Sequence, residues 1–290
     1  MSEKVLILGV SGMLGHTCFD YFSGLDEYET YGTWRKPADG RIRTFDASTD
    51  SVADIINEIK PDWIINCIGV IKQKIDERNR ISIDNTLKLN QFFPYEIATA
   101  VAGTKIKVIQ IATDCVFNGA KGGYSEMSPH DAIDLYGKTK SQGEVVSPEF
   151  LNLRVSVIGR EVESSYSLVS WFLSQKTGAE IEGYTNHLWN GITTRAFARI
   201  AAGIILQHEF VCGTFNVIPS NQVSKYQLLQ LLGKYFDRED ISIKPFNTPI
   251  LIDRTLCTTY PNFNEKLWRN AGYRAKPSVE ELIEELASNS

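Results

Sequence analysis

Tyr136 and Lys140 stand four residues apart in the run Tyr136-Gly137-Lys138-Thr139-Lys140. On a helix that spacing places both side chains on one face. An ammonium beside a phenol favours the phenolate, so the pair reads as a proton donor tuned toward neutral pH. Thr113 directly follows an apolar run at 105–112. Its hydroxyl would bond the same oxygen that Tyr136 protonates; as a plain turn former it would leave Asp114 to cap. A second group of residues suits a different task. Gly9, Gly12 and Gly15 are spaced G-x-x-G-x-x-G. Glycines there permit a tight turn and let backbone N–H groups approach a pyrophosphate at a helix N-terminus. Met13 and Leu14, inside that loop, count with it as cofactor contacts. Neither signal is specific alone, since exposed Tyr–Lys pairs and glycines at strand–helix turns are both common. Their order along one chain is what carries information.

The elements that must hold these residues follow from hydropathy patterning. Residues 4–10 are a continuous apolar run, the pattern of a strand buried on both faces of a parallel sheet. Apolar spacing predicts a helix over 13–23, strands over 28–34 and 43–46, a helix over 51–59 stopped by Pro61, and a strand over 62–69. A long helix is expected over 83–102, with Pro94 as a kink, then a strand over 105–112. Strands separated by helices argue for βαβ units and a parallel, doubly wound α/β sheet. From 113 to 135 the chain is rich in Gly, Ser, Asp and Pro, and loops of that length in compact domains are usually functional. A helix over 135–146 and a strand over 150–158 follow. Beyond Gly159 helices are expected over 167–175, 195–208, 225–236 and 279–287, with one or two extra strands. The expected division is a nucleotide-binding domain at 1–160 and a smaller C-terminal α/β substrate lobe at 161–290, with some chain crossing back to the main sheet.

The end of the second strand bears on cofactor choice. An acidic residue there would accept from a ribose 2′-hydroxyl. The chain instead has Arg35 and Lys36. Arg35 suits a 2′-phosphate through paired N–H groups, with Lys36 as added charge. Asp46 is placed either to accept from an adenine amino group or to cap the next helix.

Composition bounds the rest. The chain has 290 residues, 43% of them hydrophobic and 22% charged, with a formal charge of −5. That is an ordinary globular composition, and it lacks the basic footprint of a nucleic-acid binder. Five cysteines and four histidines are scattered with no CxxC pair, so no metal site is expected and a reducing cytoplasm is. No run approaches the roughly 20 apolar residues of a membrane helix.

Taken together, the glycine loop, Ala112-Thr113-Asp114-Cys115-Val116-Phe117 and Tyr136-Gly137-Lys138-Thr139-Lys140-Ser141-Gln142-Gly143-Glu144 resemble the extended short-chain dehydrogenase/reductase superfamily. Within it they most resemble dTDP-4-dehydrorhamnose reductase and related sugar-nucleotide reductases. Tyr124-Ser125-Glu126 and Pro129 fit the acidic, proline-containing loop between the two motifs. Thr193-Thr194-Arg195 and Gly272-Tyr273 fit more loosely. The resemblance implies a Rossmann-type fold and hydride transfer from NADPH, with NADH kept open, to a keto carbon of a nucleotide-activated deoxysugar in polysaccharide biosynthesis. It implies Tyr136 as proton donor, Lys140 as the cation that lowers its pKa and binds the nicotinamide ribose, and Thr113 as the group that orients the carbonyl. It places Cys67, Ile68, Gly69 and Asn90 among the cofactor contacts. Asp114, Val116 and Phe117 would lie against the substrate.

Three departures concern the sugar, the first being Cys67-Ile68-Gly69-Val70 after the strand-four asparagine, where rhamnose-forming enzymes usually have alanine-rich residues. Cys115 replaces a tyrosine, and Val157 stands where rhamnose-forming enzymes usually have a tryptophan. In the second half, Trp189 is expected to pack a sugar face or a base, or else to fill the lobe core. Arg254 is expected to bind the diphosphate, or else to be a surface arginine. Arg154 lies in a buried-looking strand and therefore needs a partner. The expected partner molecule is a nucleotide sugar, and a homodimer is one assembly left open. Two alternatives stand beside the reductase. One is an epimerase or dehydratase with NAD, which Arg35 argues against. The other is a non-catalytic NADP-binding regulatory subunit, since regulatory subunits of methionine adenosyltransferase resemble the same family.

Overall fold

A computed structural model describes residues 2–38, 40–162 and 165–289. Its centre is a seven-stranded parallel sheet. Six of its strands are β1 (Glu3–Leu8), β2 (Tyr28–Trp34), β3 (Ile42–Thr44), β4 (Trp63–Asn66), β5 (Lys107–Thr113) and β6 (Phe150–Val155). The seventh is the strand Gly213–Asn216, on the far edge beside β6. The spatial order from the other edge is β3-β2-β1-β4-β5-β6. The order reverses at β1, so the crevice above its carboxyl end is the switch point where ligands bind in such sheets. The run Val5-Leu6-Ile7-Leu8 is fully buried, as a strand covered by helices on both faces must be.

Helices α1 (Met13–Ser23), α2 (Val52–Ile59), α3 (Arg80–Leu87), α4 (Phe93–Val101) and α5 (Leu135–Gln142) connect these strands. The expected 83–102 helix is broken. A wide turn over Lys88–Phe92 separates α3 from α4. Pro94 has no N–H to give the carbonyl of Asn90, which explains why the regular ladder fails there. Helix α5 is shorter than expected because Gly143 ends it. The expected 150–158 strand also divides: Val157–Ile158 leaves the main sheet to pair with Ile192–Thr193.

The C-terminal half holds α6 (Leu168–Leu173), α7 (Thr194–Leu206), α8 (Lys225–Tyr235), α9 (Pro261–Asn270) and α10 (Val279–Ser288). Helix α9 was not foreseen, because its charged sequence hides a stripe carrying Leu267 and Trp268. The small strands are also more numerous than the one or two expected; they form short pairs such as Glu180–Tyr184 with Ser242–Phe246. Helix α7 buries Ala196, Phe197, Ile200 and Ile204 in the same apolar core as Val5, Ile7 and Phe22. A separate core around Phe172, Trp189 and Leu228 supports the lobe. Among the described residues no helix is long and apolar enough to cross a membrane.

One face of the sheet carries an amide ladder. Asn66, Gln110, Asn152 and Thr214 face one another in register on four adjacent strands. Asn66 Nδ2 donates to Gln110 Oε1 at 3.0 Å, Gln110 Nε2 to Asn152 Oδ1 at 3.3 Å, and Asn152 Nδ2 to Thr214 Oγ1 at 3.2 Å. The same amides reach the chain that follows α5: Gln110 Nε2 donates to the Gly143 carbonyl at 2.6 Å and Asn152 Nδ2 to the Val145 carbonyl at 2.8 Å. An unpaired buried amide costs roughly 1–3 kcal/mol, comparable to what burying one leucine contributes. The ladder therefore stabilises only while every rung is bonded. Gln110→Leu is expected to lower stability by about 2–3 kcal/mol. Gln110→Leu with Asn152→Leu should cost less than the sum of the two single changes, because they share rungs. Urea unfolding of the three variants checks this, and strict additivity would mean that the rungs act independently.

Candidate active site

The glycine loop joins β1 to α1 with Gly9 in the left-handed region at φ +88°, a conformation glycine adopts without strain. Its N–H donates to Thr33 Oγ1 at 3.0 Å and that of Val10 to the Thr33 carbonyl at 3.0 Å, so the loop is pinned to β2. A Cβ on Gly15 would run into the Gly9 carbonyl. Gly12 is exposed and begins α1 with no side chain capping the helix. A Cβ on Gly12 would meet only the Gly9 carbonyl oxygen, at 3.5 Å, and the helix N-terminus that follows β1 carries no side-chain cap, so these residues fit a dinucleotide pyrophosphate. Met13 lies half-buried and Leu14 buried at this helix start.

Arg35 and Lys36 project from the end of β2 and are exposed, with the Lys36 ammonium 5.3 Å from the centre of the Trp34 ring. Asp46 accepts from the Ser48 hydroxyl at 2.6 Å and the Ser48 N–H at 2.9 Å. Those bonds, with the nearby Arg35 charge, hold its carboxyl below the usual range. It thus closes a turn and does not cap α2, whose N-cap is Ser51. After β4, Cys67 N–H donates to the Leu8 carbonyl and Ile68 N–H to Asn66 Oδ1. Ile68 sits against Gly9, and Gly69 is exposed. Asn90 is buried beneath this loop. Its Oδ1 accepts from Val70 N–H at 2.8 Å and its Nδ2 donates to the Val70 carbonyl at 3.0 Å and to Thr139 Oγ1 at 3.3 Å. Its amide is thus engaged within the protein and fixes the loop against α5, where it was expected among the cofactor contacts.

Tyr136, Lys140 and Thr113 converge at the carboxyl end of β5. Asp134 caps α5 by accepting from Gly137 N–H at 2.8 Å, and Lys72 pairs with the same carboxylate at 2.6 Å. Lys140 Nζ donates to the Ile111 carbonyl of β5 at 3.0 Å. Burial pushes the Lys140 ammonium down to about 8, against the pull of Glu144. The Thr113 hydroxyl donates to Asp114 Oδ1 at 3.2 Å and accepts from Cys115 N–H at 3.2 Å, and it pulls the Tyr136 phenol down. The expected lowering of that phenol is not found: burial, with Cys115, Asp114 and Asp134 nearby, holds it well above its ordinary value. Burial and the neighbouring groups outweigh the opposing pull of Thr113. A phenol so held stays protonated, which is the donating form. Cys115, beside it, is pushed up to about 12 by burial and stays a thiol.

The long loop is not a free flap. Tyr124 N–H donates to the Thr255 carbonyl and Asp253 N–H to the Gly119 carbonyl, so it is docked on the segment 252–257. Arg154, 2% exposed, finds its partner in Glu144 through bonds of 3.0 and 2.7 Å, and donates to Asn216 Oδ1 at 3.1 Å. Val116 and Phe117 were expected against the substrate. Their side chains are instead fully buried with Tyr124 and Leu256, and Phe117 stacks on Tyr124 at 4.3 Å. An apolar side chain under a docked loop is held by its packing, so these two support the loop from beneath.

The lobe supplies the opposite wall. Arg254 hangs from the loop by donating to the carbonyls of Phe117 at 2.8 Å and Asn118 at 3.3 Å. Burial pushes the Asp114 carboxyl up, while the charges of Arg254 and Lys225 and the hydroxyls of Thr113 and Ser156 pull it back. Trp189 is a core residue, 4% exposed, rather than an open platform. Its indole N–H donates to Ser156 Oγ at 2.9 Å and Lys225 Nζ lies 5.3 Å from its ring. Lys225, at the first position of α8, is pushed down to about 8 by burial. Neither Lys225 nor Ser156 was singled out from sequence. Lys225 opens an ordinary amphipathic helix and carries no motif, so only the fold brings it to Asp114.

Comparison with known proteins agrees with this fold. Methionine adenosyltransferase 2 subunit beta of Danio rerio is 24% identical over 246 residues, 81% of this chain and 74% of that protein. A dTDP-4-keto-6-deoxy-D-glucose reductase of Streptomyces niveus is 27% identical over 145 residues, 50% of this chain and 47% of the other. The crystal structure of dTDP-4-dehydrorhamnose reductase from Bacillus anthracis in complex with NADP superposes over 100% of both chains, with a TM-score of 0.77 at 22% identity. The profile of the RmlD substrate binding domain matches residues 3–274, and the chain belongs to that family.

Proposed function

We propose that the protein is an NADPH-dependent oxidoreductase that reduces the 4-keto group of a nucleotide-activated deoxysugar. The observation that carries this reading is the convergence of Tyr136, Thr113 and Lys140 at the end of β5, beside a glycine loop shaped for a dinucleotide. When bound, the nicotinamide supplies the hydride. The Thr113 hydroxyl orients the substrate oxygen, and Tyr136 gives it a proton as charge develops there. Lys140, held by the Ile111 carbonyl, bonds the nicotinamide ribose and supplies positive charge beside the phenol. Arg35 reads the 2′-phosphate, with Lys36 beside it. Asp114, Lys225 and Arg254 form the wall that faces the sugar and its diphosphate. A reducing cytoplasm suits both the substrate class and the five free thiols.

The likeness to a methionine adenosyltransferase subunit favours a second reading, a binding subunit that holds NADP without turnover. The two readings differ in one assay: NADPH oxidation against a panel of 4-keto nucleotide sugars. Turnover with one sugar supports the reductase. Tight NADP+ binding without turnover on any member of the panel supports the subunit.

Tyr136→Phe is expected to lower kcat by about 10²–10⁴ while NADP+ affinity, measured by fluorescence titration, stays within about twofold. Lys140 is charged below about pH 8 and neutral above it, so turnover should fall as pH rises through that value. Lys140→Met should be slow at every pH and lose that alkaline limb; a limb that survives in the variant would belong to another group. Arg35→Asp removes the paired N–H donors and adds a like charge beside the 2′-phosphate. It should lower kcat/KM for NADPH by about 10–100-fold and leave the value for NADH nearly unchanged.

A further inference from the structure

His130 lies in the long loop, outside the residues assigned a role above, with its side chain 26% exposed. Its Nε2 is 2.8 Å from Arg154 Nη2 and its Nδ1 is 2.6 Å from Ser141 Oγ. A guanidinium can only donate, so Nε2 must carry the lone pair. Nδ1 then carries the proton and donates to Ser141. One neutral tautomer satisfies both contacts; the imidazolium keeps the bond to Ser141 but sets N–H against N–H at Arg154. The Phe117 ring closes the pocket edge-on at 5.4 Å. Ser141 directly follows Lys140 in α5, and Arg154 grips Glu144 just beyond that helix.

We propose that His130 is a positioning residue for α5: in its neutral form it joins Arg154 to Ser141 and holds Lys140 and Tyr136 in register with β5. The proposal rests on the reading of that helix as part of an NADP(H) site. The charged groups that face the ring are Arg154 from β6, Glu144 beyond the end of α5, 3.9 Å away, and Asp131 in its own loop. Burial and Arg154 disfavour the imidazolium, while Glu144 and Asp131 favour it; the balance holds His130 below the ordinary histidine value. On protonation His130 repels Arg154 and competes with it for Glu144, which loosens the clamp on the end of α5. The sign follows: the unfolded chain binds the proton more readily, so stability is lost as pH falls from about 6.5 through the lower folded value.

The test compares wild type with His130→Gln, whose side-chain oxygen can accept from Arg154 but does not titrate. NADP+ affinity, by fluorescence titration between about pH 7 and pH 5, should fall several-fold further in wild type than in the variant. The 2′-phosphate titrates equally in both, so the difference belongs to the protein. The thermal midpoint should show the same divergence. Parallel curves in both measurements would overturn the proposal. So would a His130 imidazole that titrates at or above about 6.5 in the NMR spectrum of wild type, a measurement that needs no variant. Failure of the reductase reading shows elsewhere, as absence of turnover with normal NADP+ binding at neutral pH.

Discussion

Helix α5 has almost nothing apolar to bury. Its sequence is Leu-Tyr-Gly-Lys-Thr-Lys-Ser-Gln; Gly137 and Thr139 are buried, and Leu135 is half-buried, as are Tyr136 and Lys140, whose polar ends turn inward. Most helices in such a sheet are held by an apolar stripe, and α5 cannot be. It is fastened by directional bonds instead: the Asp134 cap and its Lys72 partner at one end, Lys140 to Ile111 in the middle, and the amide ladder and Arg154–Glu144 pair at the other. Directional bonds fix rotation and register, which apolar contact does only loosely. On the proposed function, a helix whose tyrosine must meet a carbonyl oxygen at hydrogen-bond distance needs that kind of constraint.

The requirement propagates outward. Gln110 and Asn152 place amides in the interiors of β5 and β6, and each must then find a partner on the neighbouring strand, so the polar track extends from β4 to the strand Gly213–Asn216. That edge strand comes from the C-terminal half of the chain. Its Asn216 accepts from Arg154 and donates to the carbonyls of Tyr124 and Cys257. The long loop, helix α5 and the lobe's 252–257 segment thus share one set of hydrogen bonds. Arg254 owes its place in the cleft to the same loop, since it hangs from the Phe117 carbonyl above the ring that Arg154 covers at 5.3 Å.

This arrangement also explains what was legible in the sequence. Strands such as β1 announce themselves because burial on both faces demands an unbroken apolar run. The Tyr136–Lys140 spacing and the three glycines are short-range patterns, visible without any fold. Residues whose role depends on a partner far along the chain were not legible. Trp189 and Phe117 are aromatic in either setting, and only the fold decides whether a ring faces solvent or core. Asn90 lies on a helix near a cofactor loop, but its amide turns to Val70 because the wide turn before Pro94 brings it there. Lys225 meets Asp114 across more than a hundred residues of chain.

The electrostatics of the cleft follow from the same geometry. Burial acts in opposite directions on the phenol and the lysines: it holds Tyr136 protonated and brings Lys140 and Lys225 down to about 8. Neither shift arises from a dominant mutual attraction between Tyr136 and Lys140, although that attraction is what their spacing first suggests. The Lys140 ammonium is satisfied by a backbone carbonyl, and what pulls the phenol down is Thr113. Added charge in the cleft changes this balance, because each group sits where water screens little. An anionic ligand favours the charged lysines. An oxygen that gains negative charge beside Tyr136 and Thr113 is stabilised by a donor already in place, at no reorganisation cost. On the proposed function the site holds its proton until charge appears, and the directional bonds that seat α5 make that timing a property of the fold.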